Sequence, residues 1–474
     1  LEFRRVLFRS PGVVTILAEV FRTDWRLIPL FHRIHRRILP LALALLLALS
    51  CVPVAYAADF PDVPKSHWAY SYIHDAVSRG LVQGYGDGRF RPQDAVSVQA
   101  FLSMVCRADG LDDRQLQSGS NWADPAVAYG AYFGWFQPKE LGSRTAPITR
   151  EFAAQLLIQA FHPEAVGWGS ALSFRDQADI SPERLPYVRA AAALGIVDGY
   201  ADGTFRPDQG LTRAAAAKLI SRCVPKAASS SGKSVQVPVL MYHDVSYLGR
   251  GYSKTPEIFE KQMQELKDAG FHTVFFSQVI DYVENGTPLP EKPIVITFDD
   301  GYATNYTYVY PILQKLGMKI ELSTIGVAIR YADWGLRWDQ IREMVNSGLV
   351  AIEPHTYDLH SSTAARTSML KNPSESWADY VTLVGDDTRK VLDQITTEVG
   401  TTPQVFTYPL GKYNAMTEAI VHRLGCKVSL TTKDGVARVV QGDPSSLRLM
   451  DRIGMDFRNG SVISVLKQFG YKFN

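Results

Sequence analysis

Cysteine is nearly absent. Cys51, Cys106, Cys223 and Cys426 are scattered through 474 residues with no CxxC pair. That excludes a disulfide framework and a thiolate zinc site, and leaves the three later cysteines as small buried hydrophobes. An excess of charge of one sign is missing too. Lys and Arg number 50 against 48 Asp and Glu, a formal net charge of +2 at pH 7, which speaks against a nucleic-acid partner. Part of that positive charge lies in the first stretch, so the rest of the chain is nearer neutral. The apolar run Ile38–Ser50 is too short for a comfortable membrane span. What is plentiful is ordinary globular material, 46% hydrophobic and 21% charged, in a chain too long for one domain.

The first pattern present is secretory. His32–Arg37 is basic, Ile38–Ser50 is apolar, and Ala55-Tyr56-Ala57 puts small residues at the spaced positions a signal peptidase needs. Cleavage is expected after Ala57, with no membrane span in the mature chain. A lipoprotein reading at Cys51 is weaker, because Ala48-Leu49-Ser50 matches the usual box poorly. The chain starts with Leu and its first Met is Met104, so residues 1–57 are read as an upstream extension plus signal peptide and left out of fold reasoning.

Internal repeats follow. GYGDGRFRPQDAVSVQAF from Gly84 matches GYADGTFRPDQGLTRAAA from Gly199 in its Gly, Asp-Gly, Phe and Arg-Pro spacing. The upstream stretches from Asp59 and Ser173 also correspond, and NWADPAVAYGAYFGWF with APITREFAAQLLIQAF reads as a degenerate middle copy. Each copy reads as helix, Gly-rich loop, helix. Tyr72, Ile73, Ala76 and Val77 recur at helical spacing, with Gly80 as a stop. Gly84, Gly86 and Gly88 permit a turn with positive φ. Thr149 and Thr212 suit N-caps, with Glu151 in an electropositive first turn. The boundaries are 58–225 for the array, with copies at about 59–110, 119–163 and 173–224.

These residues resemble the S-layer homology family, which occurs as three tandem copies. The resemblance rests on Asp62-Val63, Trp68, the GYxDGxFRP loops, and the helix starts Thr149-Arg150-Glu151 and Thr212-Arg213-Ala214. It implies an all-α array binding an anionic secondary cell-wall polymer, with Trp68, Arg150 and Arg213 as contact candidates. Arginines at helix N-termini suit an anion, and equally suit surface ion pairs. The first copy departs from the pattern, since Ser97-Val98-Gln99 lacks the arginine, so fewer than three working polymer sites are expected.

Residues 226–234, small and polar, read as a flexible linker. From 235 to 474 apolar strands alternate with amphipathic helices: VPVLMY, a helix over Phe259–Ala269, PIVITF, a helix over Val309–Leu316, KIELSTI, a helix over Ile341–Asn346, LVAIE, a helix over Asp387–Glu398, and QVFTYP. That alternation predicts a parallel α/β architecture, a barrel, with chemistry at the carboxyl ends of its strands. Asp299-Asp300 follows one strand, His355-Thr-Tyr-Asp-Leu-His360 another, and Thr407-Tyr408-Pro409 ends a third. Adjacent carboxylates after a buried run need partners. Two histidines with one carboxylate suit Zn²⁺ or another first-row divalent ion, freeing the second aspartate as a base for attack of water on an amide.

VPVLMYHDV, TFDDGY, HTYDLH and FTYPLGKYN, in this order, resemble the polysaccharide deacetylase (NodB-like carbohydrate esterase) family, whose catalytic domain is a deformed parallel (β/α) barrel. The resemblance implies Asp299 as catalytic base, and Asp300, His355 and His360 as ligands of one divalent metal, zinc first, then cobalt or nickel. The five-residue step between the histidines looks like the subgroup acting on poly-β-1,6-N-acetylglucosamine. Trp338 matches an aromatic wall of the sugar groove, or is a packing residue. Tyr408 matches a position whose backbone N–H helps hold the oxyanion, or is a core tyrosine. His243 reads as structural or supporting rather than as a ligand. The usual terminal Leu-x-His is missing from Leu449–Met455, so no general acid is identified, and Arg452 is a candidate ion-pair partner for Asp299.

The implied function is N-deacetylation of a cell-surface aminosugar polymer, poly-N-acetylglucosamine-like or peptidoglycan, by a secreted enzyme on the wall or S-layer surface of a Gram-positive-type bacterium. Chitin-oligomer deacetylase and xylan O-acetyl esterase are alternatives within the enzyme class. A non-catalytic glycan-binding surface protein is the alternative outside it.

Overall fold

The computed structural model describes residues 59–473 apart from 117–120, 170–171, 225–231, 332, 361–365 and 367. The signal segment with Cys51, and most of the linker, lie outside the described residues.

Helices α1 (Tyr70–Ser78), α2 (Val98–Ala108), α3 (Asp124–Tyr132), α4 (Arg150–Phe161), α5 (Leu185–Ala193) and α6 (Arg213–Cys223) make three pairs. The second helix of each pair starts at a side-chain cap: Ser97, Thr149 and Thr212 accept from the amides of Ala100, Phe152 and Ala215. The segments entering these helices join in a closed ring. Val96 N donates to Leu211 O, Leu211 N to Ile148 O, and Ile148 N to Val96 O, each at 2.9 Å. The middle copy, degenerate in sequence, thus takes an equivalent place. In the Gly-rich loop only Gly88 has positive φ, at 77°. Gly84 is needed for closeness instead, because a Cβ there would overlap the Phe60 ring. The carboxylate of Asp62 accepts from the amides of Phe90 and Arg91, and that of Asp176 from Phe205 and Arg206. Those bonds hold the arginines at φ 56° and 58°.

The second half is a nearly closed barrel. Its strands are β1 (Ser234–Val237), β2 (Val239–Tyr242), β3 (Asp244–Val245), β4 (Ser253–Lys254), β5 (His272–Thr273), β6 (Pro293–Phe298), β7 (Ile320–Thr324), β8 (Val350–Pro354), β9 (Val405–Thr407), β10 (Val428–Asp434), β11 (Ala437–Val440) and β12 (Met450–Gly454). The main sheet runs β8-β7-β6-β2-β12-β10-β9, all parallel, with β5 beside β6. Every residue of β6 and β7 is buried, as strands covered on both faces require. Around it lie α7 (Pro256–Asp268), α8 (Phe276–Asn285), α9 (Tyr310–Leu316), α10 (Trp338–Asn346), α11 (Trp377–Val399), α12 (Ala415–Arg423) and α13 (Val462–Gln468). Helix α11 begins ten residues before the expected Asp387, capped by Ser376.

The sheet stays open between β8 and β9, and side chains span that gap. The Glu353 carboxylate accepts from the amides of Gln404 and Val405 at 3.2 and 3.0 Å. Ser323 Oγ and Thr407 Oγ1 lie 2.7 Å apart. One apolar core runs from the array into the barrel, joining Phe152, Leu157 and Ile158 to Tyr380, Val384, Phe406, Met416 and Ile420. Cys106, Cys223 and Cys426 are free and buried. Among the described residues no helix is long and apolar enough to cross a membrane.

Candidate metal and catalytic site

Two strand ends meet at one point. Asp300 follows β6, and His355 and His360 lie on the loop after β8. His355 Nε2 and His360 Nε2 stand 3.6 and 3.3 Å from Asp300 Oδ1. The three possible ligand atoms lie within 4.8 Å of one another. Two donors each about 2.1 Å from one tetrahedral ion would stand about 3.4 Å apart. Asp300 Oδ1 is buried with no hydrogen-bond donor, a costly state that a cation relieves. His355 Nδ1 is bonded to Thr407 O at 2.7 Å. The carbonyl requires a proton on Nδ1, which leaves the Nε2 lone pair for a metal. Burial, outweighing the neighbouring carboxylates, pulls the His355 pKa down to about 4, so the ring is neutral and ligand-competent.

The turns carrying these ligands are strained. Asp300 has φ 72° and Thr356 φ 68°, unusual for any side chain and more so for a β-branched one. Gly301, at φ 82°, is forced, since a Cβ would meet Thr324 Cγ2 at 2.8 Å. Backbone bonds hold the turns: Leu336 N to Gly301 O, His355 N to Thr324 O and Gly326 N to Thr356 O, at 3.0, 2.9 and 3.0 Å.

Asp299 is 1% exposed and sits in a bidentate pair with Arg452, itself 0% exposed, at 2.8 and 2.7 Å. Burial alone would raise the Asp299 pKa. The guanidinium outweighs it and holds the carboxyl well below its usual range. Arg452 is fixed in turn by Thr431 O and Thr297 Oγ1.

Opposite Asp299 in the neighbouring strand is His243, because Tyr242 and Phe298 pair in register. His243 Nδ1 lies 2.7 Å from Asp456 Oδ2. Burial favours the neutral ring, but the bond to Asp456 and the charges of Asp299, Asp456 and Asp300 prevail, lifting its pKa to about 9. The imidazolium is therefore the neutral-pH form, with its Nε2 proton not used by Asp456. The sequence hides this pair, since its members are 213 positions apart.

The remaining candidates lie just after β9 and at the start of α10. Tyr408 is fully buried, its hydroxyl bonded to Glu418 at 2.6 Å and its amide to Leu430 O at 3.2 Å. Trp338 opens α10 and packs half-buried on the barrel core. Trp334, unremarked in the sequence, is 38% exposed with its ring 5.0 Å from Tyr302, two residues from Asp300. Tyr302 in turn bonds Tyr252, whose ring is 6.1 Å from His243.

In the array, Trp68 is 55% exposed. Arg150 donates to the carbonyls of Phe205 and Asp198 and lies over the Tyr200 and Phe205 rings. Arg213 does the same with Phe90 O, Gln83 O and the Tyr85 and Phe90 rings. Each arginine thus clasps the Gly-rich loop of the next copy around the ring. The equivalent residue in the first copy, Val98, faces the middle copy: its amide donates to Ala146 O at 3.0 Å, and that copy has no GYxDGxFRP loop. Arginine and loop are missing together.

Comparison with known proteins agrees with both halves. The polysaccharide deacetylase family model matches residues 286–429, and the S-layer homology domain model matches 59–97 and 173–217. YxkH of Bacillus subtilis (strain 168), named as a polysaccharide deacetylase, is 31% identical over 210 residues, which span 44% of this chain and 69% of that protein. The poly-beta-1,6-N-acetyl-D-glucosamine N-deacetylase of Escherichia coli (strain K12) is 28% identical over 39% of this chain and only 31% of its own length. A solved de-N-acetylase from Aggregatibacter actinomycetemcomitans aligns with 50% of this chain and 100% of its own, at 25% identity and a TM-score of 0.43.

Proposed function

Because the chain belongs to the polysaccharide deacetylase family, we propose that it hydrolyses N-acetyl groups from a poly-N-acetylglucosamine-like polymer or peptidoglycan at the cell wall. One observation carries the reading: a buried, donorless carboxylate oxygen of Asp300 faces two imidazole nitrogens at the spacing of ligands sharing one cation. Zinc suits this donor set, with cobalt or nickel as substitutes. When bound, such an ion supplies Lewis acidity to the acetamide carbonyl and to water.

The chain's own residues do the rest. Asp299 accepts the proton of the attacking water. Its pairing with Arg452 keeps it ionised across the working pH range, at some cost in basicity. His243, protonated and oriented by Asp456, donates a proton to the departing amine. That fills the role left open by the missing terminal histidine, and the segment lacking it contributes Arg452 instead, with Asp456 directly after it. The ring of Trp334, backed by Tyr302 and Tyr252, offers a face on which a pyranose can stack. The five-residue histidine step and the name of the Escherichia coli relative favour the β-1,6-linked polymer.

The repeats hold the enzyme to a secondary cell-wall polymer, and the two clasped loops with Arg150, Arg213 and the exposed Trp68 are the contact candidates. Secretion follows from the signal pattern at 1–57. The test is Asp299→Asn: a folded variant should bind metal like the wild type and release no acetate, and full activity would remove the base assignment.

A further inference from the structure

The loop that carries both histidines is held from an unexpected direction. Between His355 and His360, the amides of Tyr357 and Asp358 both donate to the Asp387 carboxylate of α11, at 2.8 and 2.7 Å. Asp387 is only 8% exposed, so these bonds are not traded for water. They close the turn at Thr356 whose positive φ would otherwise relax. Lys390, one turn along α11, places its ammonium 3.7 Å from the centre of the Tyr357 ring.

Helix α11 is gripped on another side by the repeat array. Residues two apart on a helix point about 200° apart, so Gly385 faces away from the metal loop. There it meets Tyr132 at the end of α3, and any side chain at 385 would overlap that ring. The Tyr132 hydroxyl donates to Asp386 Oδ1 at 3.0 Å. Alongside, Arg423 of α12 reaches Asp109 and Ala160 O of the array at 2.7 and 2.6 Å, and Tyr129 hydrogen-bonds both Asp109 and Ala419 O. The core beneath is continuous.

We propose that the repeat array is a structural part of the metal site: Tyr132 seats α11, and Asp387 on that helix is the positioning residue that sets the histidine loop. The wall-binding module is then more than a tether, and its seating bears on ligand geometry. This rests on Asp300, His355 and His360 being the cation site.

The experiment uses the full chain and Zn²⁺ as probe, with affinity by calorimetry and amide hydrogen exchange over 355–360 by mass spectrometry. Asp387→Ala should weaken zinc about 10–100-fold, the usual effect of losing a group that orients ligands, and speed exchange at 357 and 358. Tyr132→Ala should weaken zinc by a smaller factor, about 2–30-fold, with faster loop exchange, while Tyr132→Phe, which keeps the ring, stays near wild type. If Tyr132→Ala lowers thermal stability but leaves zinc affinity and loop exchange untouched, the array only stabilises the fold and the coupling is wrong. Unchanged affinity in Asp387→Ala also overturns it. A wild-type chain that binds no zinc removes the site itself, an outcome separable from failure of the coupling alone.

Discussion

Replacing Arg452 with Met gives a sharp reading of the buried ion pair. Met keeps much of the stem volume and removes the bidentate partner of Asp299 together with the bonds to Thr431 O and Thr297 Oγ1. Breaking a buried pair from one side costs about 3–5 kcal/mol, because the other charge is left without compensation. At about 2–4 °C per kcal/mol for a domain of this size, Tm should fall roughly 6–20 °C. The loss should depend on pH. In the wild type the Asp299 pKa is depressed, so its stabilisation is present above the unfolded value near 3.9 and lost as pH falls through the folded one. In the variant burial, the largest influence on this group, is opposed only by the charges of His355 and His243, and the pKa rises. That group then favours the folded state at low pH and loses its contribution as pH rises. The Tm gap between wild type and variant should therefore widen from pH 5 to pH 8, as followed by calorimetry. Acetate release by the variant at pH 7 should fall steeply, since a protonated Asp299 cannot take a proton. A small gap, equal at both pH values, would refute the argument that Arg452 is what keeps Asp299 ionised.

His243→Gln should lose about 10²–10⁴-fold in kcat, and the wild-type fall in rate at alkaline pH, where His243 loses its proton, should vanish with it; a retained alkaline limb would move the acid role elsewhere. Arg213→Met should destabilise the array by about 1–3 kcal/mol through the lost carbonyl bonds and ring contacts, whereas Val98→Arg should restore nothing, both read by thermal unfolding. Glu321, buried with a pKa pushed up to about 7, favours the folded state below its unfolded value near 4.3 and loses that contribution as pH rises towards 7. Glu321→Gln should accordingly gain on the wild type at pH 8 relative to pH 5.

Local pattern carried much of the barrel. PIVITF is β6 residue for residue, and Gly317 caps α9 in the left-handed conformation, as its position implied. Helices α8, α12 and α13 and strands β1, β3 to β5 and β10 to β12 are not legible in the local pattern. β10 and β12 place polar residues inside the barrel, Thr431 and Arg452 among them, so their hydrophobic signal is broken by groups that serve the site. Asp299, Asp300, His355 and His360 were legible because each follows an apolar strand. His243 was visible as a residue but not as a charged one, since its state depends on Asp456 across the barrel mouth. Trp338 is marked by its motif, whereas Trp334, exposed beside Tyr302, is not. The absence of arginine at Val98 acquires its cause only when the ring of repeats shows which loop it would have to clasp. The seating of the array on α11 has no local signature at all, being written in a glycine, a tyrosine and an aspartate on three separate faces.

The central claim, a cation-dependent amide hydrolase built on Asp300, His355 and His360, is tested most directly by acetate release from poly-β-1,6-N-acetylglucosamine before chelation, after chelation, and after zinc is returned. Release should stop with the chelator and come back with zinc in the wild type, and should not come back in His360→Ala. Steady release from the chelated, metal-free chain would contradict it.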